Sequence, residues 1–224
     1  MMTWVFFNVS LFLGAYFLGS IPTGYLVGRV LKGIDLRKEG SGSTGATNVL
    51  RTLGKGPAIF VLSVDVLKGV GAIALVKWAY YLDITSMLAP LPILEGWLPW
   101  MITAAGLLAV VGHSRSIWLG FSGGKSVATS LGVLLAMSWV VGLSTMGVFA
   151  LCLAISRIVS LSSITGAIAV SAIMFATHQP LPFILFGIAG GLYVVWRHSS
   201  NIQRLIDGTE PRVGQKLTTA SANK

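Results

Sequence analysis

The chain has 224 residues, of which 54% are hydrophobic and 10% charged, whereas an ordinary soluble domain carries roughly 25% charged residues. So few charged side chains cannot coat a water-soluble globule of this size, which excludes that class and predicts that lipid covers much of the surface. The 16 basic and 7 acidic residues give a net charge of +9. Because the basic residues flank apolar runs, this charge indicates membrane lipid and phosphate-bearing ligands rather than nucleic acid.

Long apolar runs predict an all-α polytopic membrane protein, because a helix needs about 20 apolar residues to cross roughly 30 Å of hydrocarbon. In chain order these runs cover about residues 4–30, 57–81, 92–112, 126–156 and 158–196. The first run is expected to remain as a span, because no basic residue precedes it as in a cleavable signal peptide.

The last two runs are each predicted to hold two spans, which gives seven transmembrane helices. Residues 126–156 are too long for one upright helix and are expected to turn near Gly142, and the sequence His-Gln-Pro at 178–180 is typical of a tight turn. With the N-terminus outside and the C-terminus in the cytoplasm, nearly all basic residues fall on the inner side, as the positive-inside rule requires. The chain is therefore predicted to be a single integral membrane domain, 1–224, in which 199–224 forms a basic cytoplasmic tail.

Residues 41–51, which read SGSTGATNVLR, form the first of four polar segments on the predicted inner side. The glycines let the backbone curve and present amide donors, while Thr47, Asn48 and Arg51 add side-chain donors. This combination is typical of anion binding. The alternative is an ordinary glycine-rich turn capped by Ser and Asn.

The second polar segment contains Gly123, Gly124 and Lys125 at the start of a predicted helix. The N-terminal amides of a helix, the positive end of its dipole and an ammonium group can hold a phosphate together. The spacing differs from that of a nucleotide-binding P-loop, because Leu119 stands where that motif requires glycine. A lysine that only snorkels at a helix end is the alternative.

The third and fourth segments supply hydroxyl, imidazole and amide groups. Residues 156–164 read SRIVSLSSI, and its serines, Ser160 among them, are more typical of helix packing when taken alone. In RHSSNIQRLIDGTE, which starts at Arg197, His198 and Asn201 are three residues apart and share a face if the segment is helical. A His and an Asn on one face, beside other polar loops, indicate a functional site.

Asp65 and Lys68 form an oppositely charged pair three residues apart in the second predicted span. Ionisable groups inside a membrane are costly and often functional, although a self-neutralising structural pair near the inner interface is the alternative. We expect a functional role.

Taken in order, the segments SGSTGATNVLR, DVLKG, GH…WLGFSGGKSVAT, SRIVSLSSI and RHSSNIQRL resemble the motifs of the bacterial membrane glycerol-3-phosphate acyltransferase family known as PlsY. The resemblance extends over nearly the whole chain. It implies a seven-span inner-membrane enzyme whose active site faces the cytoplasm. It also implies acyl transfer from acyl phosphate to the 1-hydroxyl of sn-glycerol 3-phosphate, which gives lysophosphatidic acid and phosphate in the first step of phospholipid biosynthesis.

The resemblance further implies which residues form the site. Substrate and phosphate binding would fall to the first two polar segments, and catalysis to the last two. The binding set is Ser41, Gly42, Thr47, Asn48, Arg51, Gly123, Gly124 and Lys125, and the catalytic set is Ser160, His198 and Asn201. The chain departs from the family at Ser43, where Asn is usual, and at Ser122, where Lys is usual, so one amide and one positive charge are absent from these loops.

The implied partners are acyl phosphate, glycerol 3-phosphate, membrane lipid and the upstream enzyme that makes acyl phosphate, with no nucleic acid. No cofactor or metal ion is expected, because two phosphate-bearing substrates need positioning and charge neutralisation, and the aspartates are scattered along the chain. His198 and a phosphate oxygen of the donor are both candidates for taking the hydroxyl proton. A membrane transporter of phosphate or of a phosphorylated small molecule is the competing interpretation.

Overall fold

The computed structural model of the chain describes residues 2–82, 85, 87–88 and 90–215. Across these residues the backbone is helical and forms no β-strand, which confirms the all-α prediction. In chain order the α-helices are α1 (Met2–Ser20), α2 (Thr23–Lys32), α3 (Ala46–Leu53), α4 (Lys55–Tyr81), α5 (Leu91–Ser114), α6 (Val127–Met137), α7 (Trp139–Ser156), α8 (Val159–Ala176), α9 (Leu181–Arg197) and α10 (Ser199–Ile206).

Five helical segments in the described ranges are long and apolar enough to span a membrane, namely α1 with α2, α4, α5, α7 and α8. A sixth results if α9 and α10, which meet at an angle of 60°, count together as one broken span. These helices support the predicted multi-pass character. Seven spans and the predicted orientation of the termini are not confirmed by the described residues, because the remaining apolar helix, α6, has 11 residues. Such a helix covers about 16 Å, against roughly 30 Å of hydrocarbon.

The turn predicted near Gly142 lies at Ser138 instead, so this prediction was wrong. Ser138 is extended, with φ −151° and ψ 109°, and separates α6 from α7. Gly142 has a different role, because Leu135 occupies the space that a Cβ at Gly142 would need. The missing side chain lets the two helices pack closely beside the turn. The turn predicted at residues 178–180 is confirmed between α8 and α9.

Helices α4 and α6 touch backbone to backbone. A Cβ at Gly69 would overlap the Thr129 carbonyl, and a Cβ at Gly132 would overlap the Val66 carbonyl. Only glycine permits this approach, which brings the start of α6 against the middle of α4. The buried core continues from this contact through Ile73.

Lys77 caps the far end of the short helix α6. Its Nζ donates a hydrogen bond of 2.6 Å to the carbonyl oxygen of Ala136. The last carbonyls of a helix lack partners within the helix and carry the negative end of its dipole. A lysine on α4 therefore stabilises the terminus of a helix that ends beside an apolar core.

Replacing Lys77 with Met should lower the thermal unfolding midpoint of the purified protein in detergent by roughly 3–6 °C, because this cation contributes up to about 2 kcal/mol at a partly buried helix terminus. The matched control is Lys32→Met, which removes the 2.9 Å bond from an exposed lysine to the Thr52 carbonyl. An exposed interaction of this kind is worth little, so equal losses in the two variants would contradict the capping role.

Candidate active site

A cavity of about 360 Å³ opens among α3, α6, α7, α8, α9 and α10. Where α8 begins and α9 ends, its wall is polar and includes Ser160, His198 and Asn201. Farther along the same helices, by roughly 15 Å at 1.5 Å per residue, the wall is apolar and includes Val170 and Phe186. One end of the cavity therefore suits charged groups, and the other suits hydrocarbon.

The four polar segments of the sequence meet at this cavity. Eight of the eleven predicted site residues line it, and these are Ser41, Thr47, Asn48, Arg51, Lys125, Ser160, His198 and Asn201. Gly42, Gly123 and Gly124 are not part of the lining. Asp65, His113 and Glu210 line the cavity without having been predicted as site residues.

The Asn48 side chain shapes the first loop. Its Oδ1 accepts a hydrogen bond from the Ser41 N–H (2.9 Å). Its Nδ2 donates to the carbonyls of Leu36 (3.2 Å), Glu39 (3.0 Å) and Ser43 (2.8 Å). Asn48 is only 1% exposed, so its amide serves the loop backbone. Ser41, Thr47 and Arg51 are the predicted residues of this loop whose side chains remain for an anion.

The glycines of the second segment bring Lys125 to the cavity wall. The Gly124 N–H donates to the His113 carbonyl (3.3 Å), so this amide is engaged with α5. Arg197 Nη2 donates to the carbonyls of Gly123 (3.4 Å) and Gly124 (3.1 Å). The loop is thus held from two sides, and its next residue, Lys125, lines the cavity.

Glu210 is the centre of the polar end and was not predicted. Its Oε1 accepts hydrogen bonds from Ser160 Oγ (2.7 Å) and Asn201 Nδ2 (2.6 Å), and its Oε2 accepts from Arg204 Nε (2.6 Å). Lys125 Nζ in turn donates to the Asn201 side-chain oxygen. The carboxylate therefore joins α8 and α10 directly and the glycine loop through Asn201.

The signal for Glu210 in the sequence is weak. It lies nine residues beyond Asn201, outside the helical face that Asn201 shares with His198. The chain reverses after α10 at Gly208, whose φ of 68° is left-handed, and this reversal brings the carboxylate back onto the site. The residues DGTE at the end of the fourth polar segment show no spacing pattern that predicts this reversal of the chain.

The ionisable side chains at the polar end of the cavity have shifted pKa values. Burial would raise the pKa of Glu210, but hydrogen bonds from Ser160, Asn201 and Arg204 lower it below its usual 4.5. Burial, with the neighbouring Arg204, lowers the pKa of Lys125 from 10.5 to about 8. Burial also lowers the pKa of Arg51. At neutral pH the Glu210 carboxylate therefore lies among several cations, which favours an anionic ligand.

The His198 ring has a defined tautomer. Its Nδ1 lies 2.7 Å from the Val194 carbonyl oxygen, and a carbonyl can only accept, so Nδ1 carries the proton. In the neutral ring, Nε2 is then the hydrogen-bond acceptor. Because His198 is buried at the cavity wall, it offers an oriented acceptor to a hydroxyl group.

Ser43 and Ser122, the two positions where the resemblance implies other residues, lie in different surroundings. Ser43 lines the cavity, and its Oγ accepts a hydrogen bond from the Gly45 N–H (3.3 Å). Ser122 Oγ accepts from Arg37 Nη1 (3.3 Å). The guanidinium of Arg37 therefore supplies a positive charge beside Ser122, where the resemblance implies a lysine.

Much of the predicted tail packs against the helices. Asn201 and Glu210 are buried in the site, and the Val213 N–H donates to the Arg157 carbonyl (2.7 Å). Residues 216–224 lie outside the described residues, so the tail prediction for them stays a prediction.

Comparison with known proteins identifies relatives over almost the whole chain. A family model described as glycerol-3-phosphate acyltransferase matches residues 9–208. Proteins of that name from Trichormus variabilis and Nostoc sp. are 66% and 64% identical to this chain over 206 and 217 residues. These alignments cover 92% of this chain and 91% of the Trichormus protein, and 96% of both in the Nostoc pair.

Two crystal structures of PlsY, an integral membrane glycerol 3-phosphate acyltransferase, share the fold. The glycerol 3-phosphate form gives a TM-score of 0.80 at 36% identity and covers 92% of this chain and 96% of that one. The lysophosphatidic acid form gives 0.77 at 35% identity, with 92% and 95% covered.

Replacing Glu210 with Gln should lower the thermal unfolding midpoint at pH 7 by roughly 4–8 °C, because losing the charge of this buried carboxylate weakens its hydrogen bonds to Ser160, Asn201 and Arg204 and costs about 2 kcal/mol. The lowered pKa sets the pH dependence. The ionised carboxylate stabilises the fold above its unfolded pKa, and this stabilisation is lost as pH falls through the folded pKa. The gap between wild type and variant should therefore shrink at low pH.

The control for this variant is Glu39→Gln, which neutralises an exposed carboxylate. Its midpoint should stay within about 1 °C of wild type. A gap for Glu210→Gln that does not depend on pH would contradict the role of the ionised group.

Proposed function

The chain belongs to the glycerol-3-phosphate acyltransferase family, and we propose on this basis that it transfers an acyl group from acyl phosphate to the 1-hydroxyl of sn-glycerol 3-phosphate. The products are lysophosphatidic acid and phosphate, in the first step of phospholipid biosynthesis. The observation that carries the proposal is a single cavity with a cationic end and an apolar end. These two ends match the two substrates, which are both phosphate compounds and one of which bears a hydrocarbon chain.

The cationic end overcomes the repulsion between two phosphates. Arg51 and Lys125 line the cavity, and the burial of both strengthens their interaction with an anion. We assign phosphate binding to these two side chains together with Thr47 and Ser41. Asn48, Gly123 and Gly124 contribute by shaping the loops that carry these groups.

The reaction needs no covalent nucleophile, because acyl phosphate is already an activated mixed anhydride. The glycerol hydroxyl oxygen attacks the acyl carbon, the bond from that carbon to the phosphate oxygen breaks, and the leaving phosphate takes the hydroxyl proton. His198 Nε2 accepts a hydrogen bond from the glycerol, and Asn201 and Ser160, held by Glu210, fix the adjacent wall. The contribution of the protein is therefore positioning and charge stabilisation.

The acyl chain of the donor occupies the apolar part of the cavity. Leu134, Phe149, Val170 and Phe186 line this part, and contact with hydrocarbon replaces contact with water along the chain. The carbonyl at the head of the chain then lies beside the cations. This arrangement explains why one cavity has two chemically different ends.

We further propose how the protein sits in the membrane. Seven membrane-embedded helices, with α6 as a short one, place the N-terminus outside and the C-terminus in the cytoplasm, as one integral domain of the inner membrane. Four basic residues support this orientation. Arg51 and Lys125 line the cavity, and Arg157 and Arg197 are within two residues of lining residues in the sequence. The positive-inside rule places such residues on the cytoplasmic side. The active site then faces the cytoplasm, where an upstream enzyme supplies acyl phosphate.

An assay with purified protein tests the activity directly. Glycerol 3-phosphate and palmitoyl phosphate should give lysophosphatidic acid and phosphate in equal amounts. Proteoliposomes loaded with glycerol 3-phosphate should retain it when no acyl donor is present. Release of glycerol 3-phosphate without acylation would favour a transporter and contradict the proposal.

Lys125 should give the activity an alkaline limit. Its pKa of about 8 means that the ammonium loses its charge as pH rises through this value, so kcat/KM should fall there. Lys125→Arg should keep measurable activity without this fall, because arginine stays charged. Lys125→Met should lose about 100-fold or more. A fall of the same shape in Lys125→Arg would contradict the assignment.

His198 variants separate positioning from proton transfer. Gln can accept a hydrogen bond but cannot act as a base near neutral pH, and Ala can do neither. We expect His198→Gln to retain most of kcat and His198→Ala to lose it. Equal losses in the two variants would show that the imidazole takes the proton.

A further inference from the structure

Behind the glycine loop lies a buried charged cluster that the reaction described above does not use. Asp65 and Lys68 lie on α4, and His113 lies on α5, and all three are almost completely buried. Lys68 Nζ is 2.9 Å from Asp65 Oδ1 and also donates to the Ile21 carbonyl (3.0 Å), between α1 and α2. The cluster therefore ties together the helix break, α4 and α5.

The His113 ring connects this cluster to the glycine loop. Its Nδ1 lies 3.6 Å from Asp65 Oδ1 and has no hydrogen-bond partner in the part of the chain that the structure describes. Its Nε2 lies on the side of Gly124, where a Cβ added to that glycine would overlap Nε2. One edge of the ring thus faces the carboxylate, and the other faces the loop backbone.

The space at Gly123 is limited by different atoms. A Cβ at this position would overlap the carbonyl oxygen of His113 and contact the backbone of Ser114. A Cβ at Gly124 is therefore excluded by the imidazole ring, and a Cβ at Gly123 is excluded by the backbone at the end of α5. Truncating the ring makes space for a Cβ at Gly124 but not at Gly123.

The position of this ring determines where Lys125 can reach. Lys125 follows Gly124 directly, and its Nζ contacts Asn201 across the cavity. A shift of the loop by a fraction of an ångström displaces the ammonium from the phosphates, and misplacement of this kind is costly in a site that works by positioning. The buried pair on α4 lies on the opposite side of the ring, with Asp65 Oδ1 3.6 Å from His113 Nδ1.

We propose that His113, oriented by Asp65, is a positioning residue for phosphate binding, because its ring fixes the glycine loop that carries Lys125. This inference rests on the proposed function in one respect, which is that Lys125 binds a substrate phosphate. In this proposal Asp65 and Lys68 support the His113 ring, which is the functional role that the sequence led us to expect for this pair.

A double-mutant cycle tests the contact. Gly124→Ala should raise the KM for the phosphate substrates about tenfold in the wild-type background and by less than about threefold in a His113→Ala background, because the added methyl then fills the space of the missing ring. Gly124→Ala should leave kcat within about threefold of the value for the protein into which it is introduced, in both backgrounds. Additive effects on KM would overturn the proposal.

Gly123→Ala is the matched control for the cycle. The backbone atoms that it meets are present in both backgrounds, so its effect on KM should be the same with and without the His113 ring. Equal rescue of Gly123→Ala by His113→Ala would mean general loosening of the loop and would also overturn the proposal. If Gly124→Ala does not accumulate as folded protein, the yield of folded protein is measured instead. His113→Ala should restore this yield, and a yield that is not restored would contradict the contact between the ring and Gly124.

A second pair of variants tests the orienting role of Asp65. Asp65→Asn with Lys68→Met removes both buried charges together and leaves no unpaired ion. If the ring positions the loop, His113→Ala should by itself raise the KM for the phosphate substrates. This double variant should raise KM to a similar extent, and adding His113→Ala to it should cause little further increase. Thr103→Val is the control on α5, since Thr103 is buried but does not line the cavity, and its KM should match wild type. An unchanged KM in the charge-free variant would contradict the role of Asp65.

Failure of this inference is distinguishable from failure of the proposed function. A wild-type protein that makes no lysophosphatidic acid contradicts the function itself. A wild-type protein that is active, with additive effects in the cycle, contradicts only the role of His113.

Discussion

The structure of the polar end depends on one carboxylate that neutralises part of a cationic cluster. Lys125, Arg51 and Arg204 would repel one another in this partly buried region if no negative charge lay among them. Glu210 bonds to Arg204 directly and to Lys125 through Asn201, and it also accepts from Ser160 on α8. A single ionised group thus holds segments that are far apart in sequence, while the site keeps the excess positive charge that an anionic substrate needs.

The sequence predicted the parts of the molecule that follow from local chemistry. Apolar runs gave the long helices, because lipid leaves no other partner for the backbone. Thr47, Arg51, Lys125 and His198 were predicted as site residues because their groups suit phosphates and hydroxyls, and all four line the cavity. The turn at Ser138 and the return of Glu210 were missed, because they depend on contacts between distant residues. Gly142 was mistaken for a turn for the same reason, since its small size serves the contact with Leu135.

The site also shows that residues of one motif have different tasks. Asn48 and Gly124 belong to the same two segments as Arg51 and Lys125, yet their polar groups bond to the backbone of the loop and of α5. Arg51 and Lys125 face the cavity because neighbours of this kind hold the loops. Positioning by buried groups extends to His113 and the charged pair beneath it, so preorganisation reaches from the cavity to the break between α1 and α2.

A structure of the protein with glycerol 3-phosphate bound tests the central claim most directly, which is that one cationic cavity receives the substrates. The account predicts that the ligand phosphate lies within hydrogen-bond distance of Arg51 or Lys125 and that a glycerol hydroxyl faces His198 Nε2. A ligand bound outside this cavity, or a phosphate that contacts neither cation, would contradict it.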